Sequence, residues 1–207
     1  PNGRVALVTG AARRVGRALA LGLGRAGMDV IVHYNASADA AARTVIDLEA
    51  LGVRAVPVQA DVGRGDDVRR LLDAAASAFG RLDVLVNSAS LFERTPLADI
   101  GEADWDRVLA VNLRGPFLLS QGAAPLLAAD GGGAIVNIAD LSAFQTWPSY
   151  VHHAVSKAGL VHLTRQLARA LAPGVRVNAI APGHVLSPED HDGHDAAGGP
   201  DRRVLAA

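Results

Sequence analysis

Residues 149–159 read SYVHHAVSKAG. His153 and Lys157 are four apart and Tyr150 precedes His153 by three, so on a helix all three share one stripe. An imidazole, an ammonium and a phenol on one face form an acid–base group. The imidazole exchanges protons near neutral pH, the ammonium supplies fixed charge, and the phenol is a weaker acid. The same stripe also describes the polar part of an ordinary packed helix. Chemistry requires further groups facing it, and a fold that brings them there.

That fold is legible as an alternation. Apolar, β-branched runs at 4–10, 28–34, 54–61, 82–89, 133–140 and 175–183 read as strands. Pro57 weakens the third as a central strand. Between them lie helical patterns. Val15, Leu19 and Leu23 recur at helical spacing, with Gly27 as a stop; 38–51 and 66–79 follow. A long helix over 102–129 carries Trp105, Val108, Leu109 and Leu113 and bends near Gly115-Pro116, and another covers 149–172. Continuously apolar strands separated by helices predict a single α/β domain over 1–185, a doubly wound, Rossmann-like parallel sheet with helices on both faces. Ligands of such sheets bind at the carboxyl ends of the strands. Those ends carry the unusual polar residues: Thr9, His33, Asp61, Asn87, Asp140 and Pro182-Gly183.

Composition narrows the partners. Half of the 207 residues are hydrophobic and the formal net charge is −1, which gives no electrostatic case for nucleic acid or an anionic membrane. No apolar run reaches the roughly 20 residues of a membrane helix. Without cysteine there is no disulfide or thiolate chemistry, as suits a cytoplasmic protein. The segment 186–207 loses the apolar rhythm and reads as a mobile loop or tail. His184, His191 and His194 with Asp190, Asp192 and Asp195 could in principle bind a metal; solvated disorder is the better reading, so no metal site is expected.

The stretch VTGAARRVGRALA runs strand, turn, helix. Gly10 permits the tight turn and Gly16 a close approach of helix, sheet and ligand, while the open amides of the helix start attract a pyrophosphate. A site for NAD usually has an acid about 20 residues further on to hold the ribose hydroxyls. Here the second strand ends His33-Tyr34-Asn35-Ala36-Ser37, with Arg13 and Arg14 in the nearby turn. A cationic pocket lined by hydroxyl and amide groups suits a 2′-phosphate, so NADP(H) is expected over NAD(H).

TGAARRVG, NSAS (87–90), VNL (111–113), SKAG (156–159) and RVNAIAPG (176–183), in this order, resemble the short-chain dehydrogenase/reductases over about residues 4–186. The ARR of the turn, HYNAS, SASLF (88–92) and Asp140 are more loosely similar to the pteridine and dihydromonapterin reductases of that family. The resemblance implies that Thr9, Gly10, Arg13, Arg14, Val15 and Gly16 wrap the cofactor phosphates. It places His33, Tyr34, Asn35 and Ser37 around the 2′-phosphate, and Asp61 and Val62 at the adenine. Asn87, Ser88 and Ala89 line the cofactor, and Pro182 and Gly183 pass near the nicotinamide. Ser90, Phe92 and Tyr150 match substrate-contacting positions, with Phe92 stacking on a flat ring.

The resemblance also assigns the reacting group. Asn112 matches a residue that steadies a relay water, and Lys157 one that binds the nicotinamide ribose. The position four before Lys157 is normally a tyrosine acid and here is His153; 13 before that, Asp140 stands where pteridine reductases have aspartate. Three readings follow: His153 as acid or relay, Asp140 with water or Tyr150 as substitute, or lost reductase chemistry. The expected function is an NADPH-dependent reductase of a pterin-like or other small carbonyl or imine substrate; the alternatives are a catalytically impaired nucleotide-binding sensor or partner subunit that retains the fold, and a general ketone reductase. A seventh strand is implied beyond the sixth, and none is legible before Ala207. Helices 102–129 and 149–172 match those that pair subunits, so a homodimer or homotetramer is expected.

Overall fold

The computed structural model describes residues 3–129, 131–183 and 185. Six parallel strands form one sheet in the order β3-β2-β1-β4-β5-β6. They are β1 (Val5–Val8), β2 (Asp29–Tyr34), β3 (Ala55–Gln59), β4 (Val84–Asn87), β5 (Gly133–Ile138) and β6 (Val175–Ile180). The chain order reverses between β1 and β4, so the exits of these two strands flank the crevice where doubly wound sheets bind ligands. Pro57 is accommodated because β3 is an edge strand, paired with β2 alone.

Alternation along the strands supplies two cores. Val5, Leu7, Ile31, Leu85 and Ile135 pack with Leu71, Leu72 and Ala75 of α3 (Gly65–Phe79), Leu119, Ala123 and Leu127 of α5 (Gly115–Ala129), and Leu167 of α6 (Val151–Ala170). Val8, Val30, Val32 and Val86 face Ala20 and Leu21 of α1 (Arg14–Arg25) and Ala40, Ala41 and Leu48 of α2 (Ala38–Glu49). Each fully buried Leu or Ile contributes about 2 kcal/mol. Among the described residues β6 has one neighbouring strand, and Ile180 at its end is exposed.

Two expected elements are corrected. The helix over 102–129 is not a bent α-helix: α4 (Glu102–Leu109) passes through a π turn, Ala110–Arg114, into α5. The wide turn sits before the Gly115-Pro116 position expected to bend, and Asn112 lies on it. Such turns often occur where a helix must present a side chain to a functional site. The helix over 149–172 begins later, because Pro148–Tyr150 forms a 3-10 turn and Tyr150 has φ −136°, outside the helix. Tyr150 therefore does not share a helical stripe with His153 and Lys157.

The strands also end sooner than the apolar runs do. Thr9 and Gly10, Ser88 and Ala89, Ala139 and Asp140, and Ala181 to Gly183 all lie beyond the ladders. The crevice is built from these exits.

Candidate active site

The turn after β1 is tightly constructed. Gly10 has φ +67°, and a side chain on Gly16 would stand 2.1 Å from the Gly10 carbonyl oxygen, so the first turn of α1 packs on the backbone of the turn itself. Arg14, the first residue of α1, is held at φ +46°, a conformation unfavourable for a side chain of its size. Backbone strain of this kind gathers where a ligand is held. Arg13 and Arg14 are exposed at the turn, and Asn35 and Ser37 follow β2 with no acid among residues 33–37. These residues fit a nucleotide carrying an additional phosphate.

Several residues expected to touch the cofactor are buried and hydrogen-bonded within the fold. His33 is 1% exposed; its Nδ1 accepts from the Gly10 N–H at 3.0 Å and its Nε2 faces the Ala60 carbonyl at 3.0 Å. It is thus the neutral Nε2–H tautomer, tying the glycine turn to the end of β3. It cannot reach a phosphate with either nitrogen. Thr9 is buried, and its Oγ1 accepts from the Ser88 and Ala89 N–H groups at 2.9 and 3.0 Å, joining the exits of β1 and β4. Asn87 is also buried and donates to Asn137 Oδ1 at 2.8 Å. Asp61 accepts from the Gly63 N–H at 2.9 Å, and Val62 is buried. Tyr34 and Val15 are partly buried, Ser90 is exposed, and Pro182 and Gly183 follow β6.

Burial pushes the His33 pKa below its ordinary value, against opposing pulls from the Ala60 hydrogen bond and the Asp61 charge. An unfolded chain therefore takes up this proton first as pH falls. The stability tied to neutral His33 is complete above about pH 6.5 and declines as pH falls toward the lower folded-state value. His33→Phe is expected to cost about 3 kcal/mol at pH 7.5, since it strands the Gly10 N–H and the Ala60 carbonyl. It should also show a smaller loss of stability between pH 7.5 and 5.5 than the natural chain, as read from urea midpoints.

The reacting group assembles at the exit of β5. His153 Nε2 lies 2.7 Å from Asp140 Oδ2, and His153 Nδ1 lies 2.8 Å from the Leu91 carbonyl oxygen. The carbonyl can only accept, so Nδ1 carries hydrogen. The contact with Asp140 then requires a second hydrogen, shared between the imidazole and the carboxylate. The pair thus stores one transferable proton. Asp140 is its accessible member: the side chains of Asp140 and His153 are 20% and 1% exposed.

Asn112 fixes this arrangement from behind. Its Oδ1 accepts from the Leu91 N–H at 2.8 Å, and its Nδ2 donates to the Leu91 carbonyl at 3.0 Å and to Ser156 Oγ at 3.1 Å. Ser156, fully buried, donates to the His153 carbonyl at 2.6 Å. A side chain on Gly159 would meet Leu113 at 2.9 Å, so α6 seats closely on the π turn that carries Asn112.

Lys157 completes the group. It is 4% exposed, and its ammonium donates to the Ile138 carbonyl at 2.8 Å. Burial pushes its pKa down to about 8, partly offset by the Asp140 charge. For Asp140 itself, burial opposes ionisation. Hydrogen bonds from His153 and Ser142 and the charges of His153 and Lys157 outweigh that and hold the carboxyl below its usual range.

Three aromatic rings flank the pair. Phe92 stacks on Tyr150 with centroids 4.6 Å apart and an interplanar angle of 16°, meets His153 edge-on at 4.8 Å, and meets Trp147 at 6.3 Å. Leu91, Ser142, Ser156 and Trp147 were not singled out as site residues. Only Ser142, two after Asp140, had a local signal, because short-range serine–carboxylate capping is common at chain exits. A separate groove, lined by Leu109, Leu113, Phe117 and Leu163, lies on the α4–α5–α6 face and includes none of these residues. His184 and the histidines and aspartates of 186–207 fall outside the described residues. No described helix is long and apolar enough to cross a membrane.

The switch-point crevice thus carries a glycine turn on one side and the Asp140–His153 pair on the other, an arrangement suited to a nucleotide and to proton transfer. The family model for short chain dehydrogenase matches residues 4–196, and the chain belongs to that family of oxidoreductases. It is 39% identical over 183 residues to a 3-oxoacyl-(acyl-carrier-protein) reductase of Staphylococcus epidermidis, covering 88% of this chain and 75% of that protein. It is 38% identical to the 2-dehydro-3-deoxy-D-gluconate 5-dehydrogenase of Escherichia coli, covering 90% and 73%. The crystal structure of acetoin dehydrogenase from Enterobacter cloacae superposes with a TM-score of 0.85 at 33% identity, covering 90% of this chain and 75% of that one.

Proposed function

We propose that the protein is an NADPH-dependent reductase of a small carbonyl or imine substrate, pterin-like compounds included. The observation that carries this reading is the Asp140–His153 contact of 2.7 Å, with Asp140 as the accessible member and Lys157 buried beside it. When bound, the cofactor supplies the hydride. The protein's part is the proton: reduction leaves negative charge on the substrate oxygen or nitrogen, and a positioned acid must neutralise it. The proton passes from His153 Nε2 through the Asp140 carboxyl to the substrate, and His153 keeps its Nδ1 hydrogen on Leu91. Asn112 acts here by fixing Leu91. Gly10 to Gly16 hold the phosphates, and Arg13 and Arg14 with Asn35 and Ser37 favour the phosphorylated ribose.

The flat, half-exposed Phe92 ring beside the pair supports a planar substrate. The ketone-directed names of the relatives support a general carbonyl substrate equally. The burial of His153 supports a second reading, a nucleotide-binding sensor. The α4–α5–α6 groove is consistent with a homodimer or homotetramer, an assembly that rests on the resemblance.

The test is cofactor binding followed by turnover. NADPH should bind at least about tenfold more tightly than NADH, the difference expected of one charge-assisted phosphate contact. NADPH should then be consumed with at least one of a dihydropterin, a cyclic imine or a cyclic ketone. Tighter NADH binding sinks the cofactor assignment, and NADPH binding without any turnover favours the sensor.

A further inference from the structure

We propose that Ser142 is a positioning residue for the Asp140–His153 pair, fixing the carboxylate so that the shared proton rests on the imidazole between turnovers. The inference deepens the reductase reading and rests on it for its catalytic meaning. Ser142 is 4% exposed and lies one residue into the 3-10 turn Leu141–Ala143 that Asp140 caps. Its N–H donates to Asp140 Oδ1 at 2.9 Å and its hydroxyl donates to the same oxygen at 2.5 Å. Oδ2 is thereby left for His153.

The two contacts from Ser142 do different things. The N–H bond belongs to the turn and survives a change of side chain. The hydroxyl bond depends on the side chain alone, and it favours the ionised carboxylate, because a hydrogen bond to the charged form lowers the proton affinity of an acid. The charged or titratable groups acting on Asp140 are His153 and Lys157, both on α6. His153 competes with Asp140 for one proton, and Lys157 favours the ionised carboxylate. Ser142 is the neutral contact that weights this competition without adding charge. With the hydroxyl present, the proton sits on Nε2 and the carboxylate meets the substrate ready to receive it. Without the hydroxyl, the balance shifts toward Asp140 by the weight of one hydrogen bond.

In turnover the bookkeeping closes. Hydride adds to the substrate carbon, the electron pair of the C=O or C=N bond moves to the heteroatom, and one proton reaches that atom through the Asp140 carboxyl. His153 is left with hydrogen on Nδ1 alone, and the pair regains one proton from water.

The test uses the full chain with Ser142→Ala and Ser142→Thr. The Asp140 carboxyl is followed by carbon NMR over pH, and single-turnover NADPH oxidation is followed over the same range. Ser142→Ala should raise the Asp140 titration midpoint by about one pH unit, the size expected for one lost hydrogen bond to a carboxylate. The pH profile of reduction should move with it, and NADPH affinity should not change. Ser142→Thr, which keeps a hydroxyl, should restore both. An Asp140 midpoint unchanged in Ser142→Ala overturns the inference, whether or not the protein reduces a substrate. A shifted midpoint in a protein that reduces nothing upholds the role of Ser142 in the pair while rejecting the reductase reading.

Discussion

Asp140→Asn is expected to slow single-turnover reduction by about a hundred- to a thousandfold, in line with the loss of a positioned acid, and to leave the NADPH dissociation constant within about twofold. The amide retains the shape of the carboxyl, and its oxygen can still accept from His153 Nε2. It cannot take up that hydrogen and pass it on, so the accessible end of the pair is lost while its geometry persists. The structural cost is moderate: both Ser142 donors would face the amide NH2 in place of Oδ1, and while the hydroxyl can turn to accept from it, the Ser142 N–H loses its acceptor, about 1–3 kcal/mol. Stopped-flow absorbance reads the rate and nucleotide fluorescence reads the affinity.

The sharper part is the double variant. If Asp140 and His153 act as one proton store, Asp140→Asn with His153→Gln should be about as slow as Asp140→Asn alone, because a unit already disabled has little more to lose. Rates that fall by the product of the two single effects would reject the shared proton and leave His153 acting on substrate by a separate route.

How much of this was legible in sequence depends on what kind of contact each residue makes. Strand order and layer assignment follow from apolar runs and crossover rules, which is why six strands and their helices could be placed. The strand ends could not, because Thr9, Ser88 and Asp140 occupy apolar-bounded positions yet leave the ladder to make side-chain bonds. His33 stood at the right strand end, but its burial depends on Gly10 and Ala60, which are 23 and 27 residues away. The π turn has no compositional mark, and it decides that Asn112 reaches Leu91. Spacing placed Tyr150 on the stripe of His153 and Lys157. Pro148 instead opens a 3-10 turn that ends at Tyr150, and Phe92 stacks on it from another loop. Asp140, His153 and Lys157 were named together through the family resemblance. Which of them faces the crevice is a matter of burial, and required the fold.

Lys157→Met should affect stability and activity in opposite directions. Burial holds the Lys157 pKa at about 8, well below its ordinary value of 10.5. At pH 7 the ammonium is charged in both the folded and the unfolded chain, and the folded chain bears the desolvation, about 3 kcal/mol. As pH rises from about 8 toward 10.5 the folded chain releases the proton first, and this penalty diminishes. Methionine follows the lysine stem as far as Cε, lacks only the ammonium, and has no charge to desolvate. It also strands the Ile138 carbonyl, a loss of about 1 kcal/mol. The net expectation at pH 7 is a gain of about 2 kcal/mol, or about 5 °C in melting temperature for a domain of this size, with the gain shrinking toward pH 10. Reduction should fall at least about a hundredfold, since the cation that favours an ionised Asp140 is gone. Scanning calorimetry at pH 7 and pH 10 reads the first effect and NADPH oxidation the second. A variant less stable than the natural chain at pH 7 would mean that the buried ammonium holds the exit of β5 together by more than its desolvation costs. An unchanged rate would remove Lys157 from the reacting group.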